Sequence, residues 1–271
     1  MGTLADIIVF IFGTIIGSFL NVVILRFRSG RSLGGRSGCM TCAKTLTWHE
    51  LIPIGSFLTQ RGKCSGCRTK ISVQYPIVEA LTGFLFVSLL WKFEYLLPGN
   101  PALFAILFSY YGFIFSLFIV LSVYDIRHKI LPDTLVFLFA SVAFIGMFFI
   151  LGDAIVFHLP SFSQFLAGIL LPAPFTLLWL YSKGKWMGLG DAKFMIGIGF
   201  LLGLSLGFTA ILLSFWIGAV VSILIVLLAP YFGKKGVHLK TAIPFGPFLA
   251  LGAILVFLFN FDFTSIGNLF W

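Results

Sequence analysis

The stretch from Phe194 to Ala229 contains no charged residue. A bilayer hydrocarbon core is about 30 Å thick and needs roughly 20 helical residues to cross it, so this run is too long for one crossing and just long enough for two. Six further apolar runs lie elsewhere, at Leu4 to Leu25, Pro76 to Leu97, Leu103 to Tyr124, Ile130 to Leu151, Phe162 to Tyr181 and Ala242 to Phe261. Dividing the long run at Gly203 to Gly207 gives Phe194 to Leu206 and Phe208 to Ala229, and hence eight candidate spans. Lipid supplies no partner for unpaired backbone groups and none of these segments alternates apolar with polar residues, so the spans are expected to be helices. The charged share of 10% agrees, because soluble domains carry about a quarter. The expected fold is an all-α polytopic membrane protein of about eight transmembrane helices with one small cytoplasmic loop domain.

The basic residues orient the spans. Arg26, Arg28, Arg31, Arg36, Lys44, Arg61, Lys63, Arg68 and Lys70 follow the first span, Arg127 and Lys129 the third, Lys183, Lys185 and Lys193 the fifth, and Lys234, Lys235 and Lys240 the seventh. Cytoplasmic loops carry the excess of Lys and Arg, so these loops are expected in the cytoplasm, both termini outside, and only Lys92 near the outer side. Lys193 and Lys234 share a side only if the chain crosses twice between them, which again divides the long run. The first span lacks a basic leader and carries Asp6, so it reads as a retained signal anchor. The net charge of +9 belongs to the cytoplasmic face, where anionic lipid headgroups account for it without any nucleic acid.

The polar segment from Arg26 to Gln74 holds all four cysteines as two Cys-x-x-Cys pairs, Cys39 with Cys42 and Cys64 with Cys67. Each pair can place two thiolates on one metal at about 2.3 Å, and two pairs complete a closed tetrahedral zinc site of structural type. Two disulfides are the competing reading, against which stands the reducing cytoplasm.

Carboxylates are few. Asp6, Glu94, Asp153 and Asp262 fall at outer ends of spans, and Glu50 lies in the cysteine loop. Glu79, Asp125, Asp133 and Asp191 remain, all near the cytoplasmic boundary. Asp125 closes the third span and Asp191, in "GLGDAK", opens the sixth, so both fit one depth at one interface. Two carboxyl groups held together in a poorly solvated site do not both ionise, so one can serve as acid while the other acts as base on a water molecule. The alternative is that Asp191 caps a helix and Asp125 is a solvated partner of Arg127 or His128. Asp133, in "LPDTL", is a local substitute for Asp125, though it also suits the first turn of a helix.

These residues resemble a family, the type IV prepilin peptidases, membrane aspartyl proteases of the Gly-x-Gly-Asp kind. The resemblance runs through "GSFLNVVILR", the paired cysteines, "LTWHELIPIGSFL", "ISVQYPIVEALTG", "DIRHKILPD", "MGLGDAKF" and "IPFGPFLALGA". It implies that Asp125 and Asp191 cut a short basic leader from prepilin or pseudopilin precursors at the cytoplasmic face of a bacterial inner membrane, typically after a glycine. It further implies methylation of the new amino terminus from S-adenosylmethionine, although no Gly-x-Gly-x-x-Gly following a strand is present. Glu79, just inside the second span, is the candidate for a methylation-site role, and a partnership with the zinc loop is the equal alternative. The expected division is residues 1–97, with two spans flanking the cysteine loop at 26–75, and residues 98–271 as a six-helix protease part. Two other functions fit parts of the pattern: a transporter using Asp125 and Asp191 as a proton or cation relay, and a non-enzymatic assembly or sensor subunit whose zinc loop docks a partner.

Overall fold

The computed structural model describes residues 2–30, 32, 34–151, 154–228 and 243–263. Arg31, Asp153, His238 and the basic residues Lys234, Lys235 and Lys240 lie outside them, as does the start of the last expected span at Ala242.

The described chain is helical throughout its apolar runs: α1 (Thr3–Arg26), α2 (Gly55–Thr59), α3 (Gln74–Phe93), α4 (Pro101–His128), α5 (Asp133–Phe149), α6 (Phe162–Leu170), α7 (Ala173–Ser182), α8 (Leu189–Leu228) and α9 (Gly246–Phe259). Five helical segments are long and apolar enough to cross a membrane, namely α1, α3 with the short turn after it, α4, α6 with α7, and α8; α5 and α9 are shorter and equally apolar. The only strands among the described residues are Ile150–Leu151 and Ala154–Ile155, paired antiparallel directly after α5. They end α5 at Phe149, two residues before the limit expected from hydropathy. Pro172 separates α6 from α7 because it has no N–H to continue the ladder.

At 1.5 Å per residue, the 40 residues of α8 would extend about 60 Å, twice the hydrocarbon thickness. The helix breaks at Gly203, whose φ of 74° and ψ of −172° interrupt it at the start of the expected Gly203 to Gly207 joint. A side chain would strain at that φ.

Two compact units are present, Met1–Val120 and Leu121–Trp271, and their boundary falls within α4. In the first, α1 lies directly on α3. A Cβ at Gly13 would stand 2.8 Å from Gly83 Cα, and one at Gly17 would stand 2.7 Å from Glu79 Cα. Small residues that let backbones touch are how membrane helices gain packing where lipid gives no hydrophobic drive between them. Phe86 and Phe93 of α3 then meet Phe108 and Tyr111 of α4, with centroids 5.6 and 5.5 Å apart. Toward the end of the pair remote from the cysteine loop, Trp91 Nε1 donates to Asp6 Oδ1 at 3.0 Å, so Asp6 is tied and not merely solvated. The connector after α1 is likewise tied back, by the Arg26 guanidinium on the carbonyls of Ser32 and Gly34 at 3.0 and 2.6 Å.

In the second unit α8 is the central element and packs with α5, α6, α7 and α9. Aromatic rings fill the joints: Phe139 against Phe194 at 5.4 Å and Phe144 against Phe200 at 5.2 Å. Phe139, Phe194, Ile198 and Leu249 are fully buried there, and the Phe139–Phe194 contact packs the start of α8 on α5.

Candidate active site

Asp125 stands in the last turn of α4, which the left-handed Lys129 (φ 55°) terminates. The 28 residues of α4 amount to about 42 Å, longer than the hydrocarbon core. The Asp125 side chain is buried, with the residue 5% exposed, and its Oδ2 accepts the backbone N–H of Gly246 at 3.0 Å. Gly246 is the first residue of α9 and precedes Pro247, which suits a helix start. A Cβ on Gly246 would lie 2.7 Å from Asp125 Oδ2. Glycine is therefore required where the backbone meets the acid.

Asp191 occupies the first turn of α8, half-buried, and its carboxyl group lies within electrostatic reach of Asp125. Leu131 ties the two positions together. It is buried, and it packs 3.0 Å from where a Cβ would stand on Gly190, the neighbour of Asp191, and 3.2 Å from the corresponding point on Gly246. The C-terminus of α4 and the N-termini of α8 and α9 thus converge on one site, and the two acids anticipated from sequence are brought together in it.

The competing readings fare differently. No described residue donates a hydrogen bond to Asp191, as a helix cap would require. The partner of Asp125 is Gly246, while the His128 ring packs on Tyr124 at 4.4 Å. Asp133 is exposed and pairs with Lys193 at 2.8 Å, outside the buried couple. Gly246 and Leu131 are not singled out by sequence reasoning, and Lys193 enters there only as a charge that orients the spans. Gly246 lay within the quoted "IPFGPFLALGA", where a glycine before proline at a helix start was the available signal.

The four cysteines form a second site. Their sulphur atoms all lie within 4.8 Å of one another, none is in a disulfide, and Cys39 and Cys67 Sγ are 3.8 Å apart. A tetrahedron with ligands about 2.3 Å from its centre has edges of about 3.8 Å, so this spacing suits one metal ion. Each pair sits on a small antiparallel turn, Gly38 bridging to Thr45 and Lys63 to Lys70, with left-handed residues at the equivalent positions Ala43 and Arg68. The turn geometry aims backbone donors at sulphur. The N–H groups of Cys42 and Thr41 hold the Cys39 thiol down at about 6, and the Thr69 hydroxyl draws Cys67 down as well. For Cys42 the Lys44 N–H acts the same way, but crowding by the Cys67, Cys39 and Cys64 sulphurs together with burial pushes it up to about 11. That crowding is what a cation at the centre would relieve. Glu50 clamps the two turns: it accepts Lys44 Nζ at 2.9 Å, the Thr47 N–H at 2.9 Å and the Ser65 hydroxyl. Ser65, the Thr47 N–H and Lys44 hold the Glu50 carboxyl down at about 2.

Glu79 is buried on α3, and its Oε2 accepts the N–H of Ile54 at 2.7 Å. Ile54 precedes α2 in the cysteine loop and is itself left-handed, with φ 58°. The geometry therefore joins Glu79 to the loop, the structural side of the two readings.

Comparison with known proteins bears on both sites. The Bacterial Peptidase A24 N-terminal domain matches residues 11–93, and the Type IV leader peptidase family matches residues 112–223. A prepilin leader peptidase/N-methyltransferase of Bacillus subtilis is 32% identical over 259 residues, covering 95% of this chain and 96% of that protein. The chain belongs to the prepilin leader peptidase/N-methyltransferase family. Relatives of the same name from Aeromonas hydrophila and Pseudomonas aeruginosa are 32% and 28% identical, over 95% and 93% of this chain and 91% and 89% of theirs. No solved structure matches. Within the chain, the first matched region takes in Glu79 and all four cysteines and the second takes in Asp125 and Asp191, while Gly246 lies beyond both.

Proposed function

We propose that this chain is an aspartic endopeptidase of the bacterial inner membrane that removes the leader from prepilin or pseudopilin precursors and methylates the new amino terminus, with Asp125 and Asp191 as its proteolytic pair. The observation that carries the reading is the convergence of these two acids, sixty-six positions apart, at three helix ends, joined through Leu131. With one carboxyl ionised and the other protonated, the first takes a proton from water as it attacks the peptide carbonyl, and the second protonates the carbonyl oxygen. A precursor whose apolar helix lies in the bilayer presents its leader at this depth, so cleavage needs no extraction of that helix from lipid. In this reading the site faces the cytoplasm, where the positive-inside rule puts basic loops, and both termini lie outside.

Peptidase chemistry is assigned to residues 98–271 and methyl transfer to residues 1–97. Zinc is the metal proposed for Cys39, Cys42, Cys64 and Cys67. Four thiolates leave no open position, so it would cross-link a loop too small to hold a core and take no part in the reaction. S-adenosylmethionine is the proposed methyl donor. The described loop consists of two knuckles and short helical turns, which do not form the strand and glycine-rich turn of a dinucleotide-type cofactor site.

Co-expression with a prepilin tests the proposal. Wild type should shorten the precursor on a gel, while Asp125→Asn and Asp191→Asn should each leave it full length; processing by either variant would remove the pair from the chemistry. A transporter relay predicts instead that even the wild type leaves the precursor full length.

A further inference from the structure

A water-activating pair needs one acid ionised and its partner protonated before substrate arrives, and the two acids here have different surroundings. Asp125 Oδ2 receives the Gly246 N–H at 3.0 Å. No described residue donates to Asp191. Each acid also lies at a helix N-terminus, Asp125 against α9 and Asp191 on α8, and each end favours negative charge by about two- to fivefold. Those contributions offset one another. A direct hydrogen bond to a charged group is worth about ten- to a hundredfold, so the donor decides.

We infer that Gly246 is a positioning residue for proteolysis, its N–H holding Asp125 as the ionised base and leaving the shared proton on Asp191 as the acid. This deepens the peptidase reading and rests on it. With Oδ2 bound to Gly246, Oδ1 is left to take a proton from water as the water oxygen bonds to the peptide carbon. The carbonyl π electrons move to oxygen, which takes the proton of Asp191. On collapse that hydroxyl proton returns to Asp191, the C–N bond breaks, and the departing nitrogen takes the proton stored on Asp125. One water is consumed and the pair is restored.

The site has no room for a side chain at residue 246. A Cβ would meet Asp125 Oδ2 at 2.7 Å and the buried Leu131 Cδ2 at 3.2 Å, so the carboxylate would be pushed off its donor. Other charges do not explain the assignment. α9 carries no ionisable residue, Lys193 of α8 and Asp133 of α5 pair with one another at 2.8 Å, and the His128 ring packs on Tyr124.

The test uses full-length protein in lipid nanodiscs. Infrared difference spectra should show that Asp191→Asn loses one protonated-carboxyl C=O band present in wild type, whereas Asp125→Asn keeps it. Glu79 is common to all samples and cancels. Gly246→Ala should lower kcat for prepilin cleavage by about ten- to a hundredfold with KM within about twofold, and move the acid limb of the pH–rate profile upward. A band that follows Asp125, or a Gly246→Ala enzyme with wild-type kcat and pH profile, overturns the inference. Should Gly246→Ala fail to fold by size exclusion, the infrared comparison decides alone. If both Asn variants abolish cleavage while the band follows Asp125, only this inference fails; if either still cleaves, the peptidase reading fails with it.

Discussion

Replacing Glu79 with leucine removes the acceptor of the Ile54 N–H and keeps a side chain of similar length in a buried position between α1, α3 and the cysteine loop. This N–H, 2.7 Å from a carboxyl oxygen, ties the start of α2 to α3, and Ile54 holds a left-handed conformation that needs outside support. A hydrogen bond of this kind is worth about 2 kcal/mol, and leaving the donor unpaired costs a similar amount. At 1.4 kcal/mol per decade, local opening around Ile54 should rise about thirtyfold. Hydrogen–deuterium exchange of detergent-solubilised protein reads this directly: peptides spanning residues 50–60 should lose about thirtyfold protection in Glu79→Leu. Glu79→Gln keeps a carbonyl acceptor and should change exchange by less than about threefold. Unchanged exchange in the leucine variant, together with loss of methylation in both variants, would refute the structural role and put Glu79 in the transfer chemistry.

In metal-free protein Cys39 should alkylate first at pH 7, because its thiol is held down at about 6, while Cys42, pushed up to about 11, stays a thiol; mass spectrometry of the modified peptides checks the order, and added zinc should protect all four. Cys39→Ser or Cys64→Ser should lose bound metal by elemental analysis, with any effect on cleavage secondary. Asp133→Asn should keep cleavage within a fewfold of wild type, since it breaks only an exposed ion pair with Lys193, worth about 1 kcal/mol or less. Gly17→Ala should lower thermal stability by about 1–3 kcal/mol, because its Cβ would fall 2.7 Å from Glu79 Cα, where backbone and not a flexible side chain must yield.

The spans, the division of the long apolar run and the four-cysteine cluster were legible because each depends on local composition: continuous apolarity, a glycine-rich joint between basic loops, and ligand spacing. α8 breaks at Gly203, at the start of the glycine-rich joint where the long run was divided. Helix ends were less legible, since Phe149 ends α5 at a hairpin that hydropathy does not distinguish from more helix. Asp125 and Asp191 were nameable as a pair from depth alone, but their surroundings were not. The Gly246 donor lies 121 positions from Asp125 and acts through its backbone, which carries no residue-type signal. For the same reason, the Ile54 N–H on Glu79 and the indole of Trp91 on Asp6 appear only once the helices are packed.

The central claim is that Asp125 and Asp191 act as one proteolytic unit. Single-turnover cleavage of a purified prepilin by wild type, Asp125→Asn, Asp191→Asn and the double variant tests it most directly. Each single variant should fall by about 10⁴-fold, and the double should be no slower than either, because groups that act together are lost together. Independent losses that multiply in the double variant, or substantial cleavage by one of the singles, would contradict the account.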